Sequence, residues 1–143
     1  MRAIDVHVHP STRGLDTHAC GYFRRNLDDI PRSADHFAEL FIKQDVKALL
    51  IGWHPSTVTE GVRNTNEHAI ELAAKFPDAF AGVLAALDTG APNLDEVTRY
   101  AGELLKNPTV KGFKFHPPDQ GFYPADRKHY DLWEQLTASG KPV

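Results

Sequence analysis

The chain has 143 residues, 41% of them hydrophobic and 24% charged, the make-up of one ordinary globular domain or of part of one. A net charge of -3, with Lys and Arg scattered apart from the pair Arg24-Arg25, supplies no broad basic field and argues against a nucleic-acid partner. Cys20 is the single cysteine, which excludes an internal disulfide, and no run approaches the roughly 18 apolar residues of a membrane span, so a soluble cytoplasmic protein without a leader is expected.

In chain order, the first predicted element is a strand over residues 3–9, AIDVHVH. Asp5, His7 and His9 alternate there with Ile4, Val6 and Val8, which puts the polar trio on one face and the aliphatic trio on the other. A long connection follows, then a helix over SADHFAELFIKQD with Ser33 as its N-cap. The run VKALLIGW reads as a second strand, and NTNEHAIELAAKF as a helix that must stop at Pro77. AFAGVLAAL is a third strand, and NLDEVTRYAGELLKN a helix opened by the capping-box-like pair Asn93 and Glu96. VKGFKFH is a fourth strand, leading through Pro-rich loop residues to a last helix that ends on Gly140, a residue suited to a left-handed cap.

Strands alternating with amphipathic helices at about 30 residues per unit imply parallel pairing with right-handed crossovers. The fold class is therefore α/β. Two architectures satisfy it: a (β/α)8 barrel of TIM type, and a small flavodoxin-like sheet. A barrel needs about 250 residues, so residues 1–143 would be the N-terminal part of one barrel domain: four βα units and the start of strand 5 at SGKPV.

In a barrel, Ile4, Val6 and Val8 would face the helices, and Asp5, His7 and His9 the axis. Two imidazoles two residues apart on a strand can reach one divalent ion, at about 2.0–2.1 Å for zinc, so His7 and His9 are the candidate metal ligands. Strand 4 repeats the pattern, with Gly112, Lys114 and His116 opposite Phe113 and Phe115. Lys114 either orients a substrate carboxylate or carbonyl, carries a carboxylated amine between metals, or extends its head into the solvated mouth. His116 is a candidate proton-transfer or polarising group, or else a ring fixed by Pro117-Pro118. After strand 2, Trp53 and His54 are candidates for stacking on and donating to a substrate, with simple packing as the alternative for Trp53. Arg24 and Arg25 could clamp an anion or form a solvated patch, and His18, His36, His68 and His129 receive no role.

The opening IDVHVHP and the stretch GFKFHPPDQGFYPADRKHYDLWE resemble the amidohydrolase superfamily, and more narrowly the branch related to aminocarboxymuconate-semialdehyde decarboxylase. The resemblance spans essentially the whole chain. It implies a (β/α)8 barrel in which His7 and His9 bind zinc or another divalent ion, with a further histidine after strand 5 and an aspartate after strand 8. Residues 1–143 contain neither, so on this reading they should be inactive alone. The function implied is metal-dependent hydrolysis of a carbonyl-containing small molecule through a metal-activated water. The alternative is non-oxidative decarboxylation of an aromatic or muconate-type acid. A phosphoesterase or nuclease ranks lower, because Lys114 and His116 stand where such enzymes tend to place carboxylates. A non-enzymatic binding module would need a partner for its open sheet edge, and a homo-oligomer is compatible with either reading.

Overall fold

The computed structural model describes residues 1–10, 26, 30–52 and 65–143. Four strands, β1 (Ala3–Val8), β2 (Val46–Ile51), β3 (Phe80–Ala85) and β4 (Val110–Phe113), pair in parallel in the order β1-β2-β3-β4. Helices α1 (Ala34–Lys43), α2 (Asn66–Lys75) and α3 (Leu94–Leu105) form the successive crossovers. A single turn, α4 (Pro117–Gln120), and a 3-10 turn (Arg127–His129) lead into α5 (Tyr130–Ala138). Among the described residues no helix is long and apolar enough to cross a membrane.

The crossover helices start where local chemistry allows. Ser33 Oγ accepts the His36 N–H at 3.1 Å, Thr65 Oγ1 accepts that of His68 at 3.1 Å, and Asn93 Oδ1 accepts that of Glu96 at 3.4 Å. Each satisfies an amide that the first turn would leave bare. Gly140 takes φ 68° just past α5, the left-handed conformation expected of it.

Two core clusters lie on one side of the sheet. Phe37 and Ala38 of α1 and Ala69, Leu72 and Ala73 of α2 pack on Ala48 and Leu50 of β2 and on Phe80 and Val83 of β3. Val97, Ala101 and Leu104 of α3, with Leu132 and Leu136 of α5, pack on Ala85, Val110 and Phe113. Val83 and Ala85 are two apart on one strand and so point the same way, which places both groups of helices on the same face. A flavodoxin-like domain has helices on both faces and the strand order 2-1-3-4-5. Among the described residues the sheet has neither property.

The register shows where alternation is interrupted. Asp5 is level with Ala48 and Val8 with Leu50, so β1 carries one extra residue between them. Asp5 Oδ1 accepts the His7 N–H at 2.9 Å within this bulge. Val8 packs on the core, and His7 and His9 flank it on the opposite face. Asp5 loses its expected phase with the two histidines. Ile4 and Val6 do not meet helices either: they are 45% and 59% exposed, because β1 pairs with β2 alone and forms an edge of the sheet. At the other edge the chain returns after α5, and the Phe113 N–H donates to the Pro142 carbonyl at 2.9 Å. This is the place in which a fifth strand is expected.

His129, given no role above, is wholly buried between Phe122 and Trp133, with ring centroids 5.2 and 5.8 Å away. Neither ring nitrogen has a hydrogen-bond partner. Burial, and then the charge of Lys128, hold its pKa below the usual histidine value, with Asp126 opposing. The folded protein therefore binds this proton less readily than the unfolded chain does. Stability should be fully present above the unfolded value near 6.5 and decline as pH falls toward the lower folded value. Thermal melting of wild type and His129→Leu from pH 8 to pH 5 checks this. The variant should lose part of the acid-side decline, and an unchanged pH slope would exclude His129 as a contributor.

Candidate active site at the carboxyl ends of the strands

The side chains with chemistry gather where the parallel strands end. At the exit of β1 the His7 and His9 rings stand edge to face, with centroids 5.3 Å apart. Two imidazoles on one tetrahedral ion have ring centres about 5 Å apart, a separation close to that of this pair. A ring N–H of His9 donates to the Ile51 carbonyl at the end of β2. In a neutral imidazole this leaves the second nitrogen as an acceptor, the form that binds a metal. Crowding by protein, then the nearby His7 and Lys114, hold the His9 pKa below the usual value, although much of the side chain remains reachable by solvent. Among the described residues, no group of three or more His, Cys, Asp or Glu side chains is arranged to hold an ion.

Lys114 comes from the exit of β4. Its N–H continues the ladder to the Ala85 carbonyl at 2.9 Å, and Phe113 and Phe115 on either side of it pack into the helix-side core. Its side chain is thereby directed to the opposite face, the one that carries His7 and His9. The expected opposition of Gly112 and Lys114 to the two phenylalanines is therefore observed. β4 also holds an extra residue, since Val83 is level with Val110 while Leu84 is level with Gly112.

His116 stands past the end of β4 and precedes α4. Its Nδ1 lies 3.0 Å from Asp119 Oδ2, and its N–H donates to Gln120 Oε1 at 2.7 Å. Sequence reasoning read HPPDQG as a loop and passed over Asp119. The signal was present, because Pro117 at the first position of a turn places Asp119 back beside residue 116. Trp53 and His54 lie outside the described residues.

Two further buried amides were not singled out from the sequence. Asn66 joins Ala86 through both ends of its carboxamide, Oδ1 accepting the Ala86 N–H at 2.9 Å and Nδ2 donating to the Ala86 carbonyl at 2.7 Å. Asn66 Nδ2 also lies 3.1 Å from the Tyr100 hydroxyl, which donates to Glu67 at 2.5 Å. Burial and then the Glu67 bond push the Tyr100 phenol up to about 12. Gln120 Nε2 donates to the Leu87 carbonyl. A separate cleft outside β3, lined by Asp88, Asn93, Glu96, Arg99 and Tyr100, includes none of the sequence-predicted site residues.

A sequential parallel sheet, whose described crossover helices pack on one face and whose strand ends bear polar groups, defines an α/β protein of the kind that builds active sites from βα loops. The chain belongs to the amidohydrolase family, whose model matches residues 4–143. Membership supports a hydrolase function. No curated protein and no solved structure matches the chain.

Proposed function

We propose that the chain is the first half of a (β/α)8 barrel in a metal-dependent hydrolase that acts on a carbonyl-containing small molecule, with His7 and His9 as ligands of zinc or another divalent ion. One observation carries the reading: the two imidazole centroids stand 5.3 Å apart at the exit of the first strand, and the bond from a His9 ring N–H to the Ile51 carbonyl supports its other nitrogen as a ligand. The packing of the described crossover helices on one face and the sequential strand order support the barrel.

An ion held there would supply Lewis acidity and a water acidified toward neutral pH. The remaining roles fall to the chain. Lys114 brings a positive charge to the same face and can hold the negative end of a substrate carbonyl or carboxylate. The His116 ring directs Nδ1 to Asp119, so Nδ1–H donates to the carboxylate and Nε2 is the end that accepts or returns a proton. Trp53 and His54, directly after the β2 exit, are assigned to substrate binding on the sequence alone.

The protein expressed from its natural gene should hydrolyse at least one member of a panel of amides, lactones and thioesters. Asp119→Asn should lower the rate by roughly 10- to 100-fold by weakening the orientation of His116. Carbon dioxide release from a carboxylated phenol, without hydrolysis of the panel, would instead favour the decarboxylase branch. A metal-free protein with full activity would sink both.

A further inference from the structure

Asn66 and Gln120 are among the few buried polar side chains, at 0% and 5% exposure, and both attach to the same short segment, the exit of β3. Among the described residues, the last ladder bond on the β2 side runs from the Gly52 N–H to the Leu84 carbonyl at 3.1 Å. Two residues later the Asn66 carboxamide takes the place of a strand, pairing with both backbone groups of Ala86. On the β4 side, the Lys114 N–H bonds Ala85. Gln120 then bridges two strand exits, accepting from the His116 N–H and donating to the Leu87 carbonyl.

We propose that Asn66 and Gln120 are positioning residues: their carboxamides act as surrogate strands that extend the β3 ladder past its end and fix the β4 exit, and His116 with it. Helix capping does not account for Asn66, since Thr65 already caps α2; Gln120 reaches back to the N–H of His116, the N-cap of α4, and also leaves that turn to bond the Leu87 carbonyl. Only a carboxamide both donates and accepts from one planar group, so a carboxylate of the same size can serve half of each clamp. Gly52 leaves the room that Asn66 occupies, since a Cβ there would lie 2.1 Å from Asn66 Oδ1. The chemical consequence rests on the reading of His116 as a proton-transfer group; the mechanical role of the clamps does not.

The test is nuclear magnetic resonance on the whole chain as wild type, Gln120→Ala, Gln120→Glu and Asn66→Ala, reading amide exchange at Ala86 and His116 and the His116 side-chain rotamer. Gln120→Ala should raise His116 amide exchange by about tenfold or more and average its ring over rotamers, while amides inside β2 and β3 keep their rates. Gln120→Glu retains the acceptor and should restore His116 protection. Asn66→Ala should expose the Ala86 amide in the same way. If that variant does not fold, the two Gln120 variants decide the matter, because their site lies at the rim. An unchanged His116 in Gln120→Ala overturns the proposal, and so does a uniform rise across all strand amides. Zinc titration of the same samples keeps the two readings apart: selective loosening of His116 in a chain that takes up no zinc would retain the clamps and remove the metal.

Discussion

Replacing both imidazoles, His7→Ala with His9→Ala, is expected to weaken zinc binding by at least about 100-fold. Loss of a mere outer-shell partner typically costs 10- to 100-fold, and these variants remove two direct donors. Each single variant should fall between wild type and the double variant. His7 lies on the edge strand and His9 just past its end, both with exposed side chains, so the melting temperature should change little, which separates lost ligation from lost folding. Competition against a chromophoric chelator, with elemental analysis of the purified proteins, measures the effect. Equal zinc affinity in wild type and double variant would overturn the metal assignment.

The largest expected effect on stability comes from a single methyl group. In Gly52→Ala the new Cβ would stand 2.1 Å from Asn66 Oδ1 and 3.2 Å from its Cγ. Asn66 can retreat only by giving up its two bonds to Ala86, whose backbone groups would then be buried unpaired. Overpacking and lost hydrogen bonds together should cost about 3 kcal/mol or more. Gly121→Ala is the control. It has φ 65° but nothing within 4 Å of its Cβ, and should cost only about 1 kcal/mol. Urea unfolding compares the two. Adding Asn66→Ala to Gly52→Ala should cost less than the sum of the single changes, because the second removes the atoms the first strikes. A Gly52→Ala protein as stable as Gly121→Ala would show that Asn66 is not held as described.

Features set by neighbours in sequence were legible before the structure. The N-caps at Ser33 and Asn93, the stop before Pro77 and the left-handed Gly140 each depend on a few adjacent residues. Register was not legible. The extra residues in β1, β3 and β4 arise from pairing with strands far along the chain, and the one in β1 moved Asp5 out of phase with His7 while leaving His7 and His9 together. Alternation alone buried Ile4 and Val6; their place on an edge, which no local pattern states, exposed them. In the site, His7, His9, Lys114 and His116 stood out because charged or ligating groups interrupt apolar strands. Asn66, Asp119 and Gln120 did not, because polar residues near a helix start or in a Pro-rich turn usually only face solvent.

The sequential strand order also governs how the chain acquires its shape. Ala3 meets Val46, Ala48 meets Phe80 and Val83 meets Val110, so each strand docks on the one made just before it and the enclosed stretch shortens with each step. Such a chain can assemble from its amino terminus as it leaves the ribosome, adding one unit at a time to an existing template. The first closure encloses the longest stretch and starts without a template, so it carries the greatest entropic penalty. Once β1 and β2 have met, the two histidines and the Ile51 carbonyl bonded to one of them are already in place, before Lys114 and His116 have been synthesised.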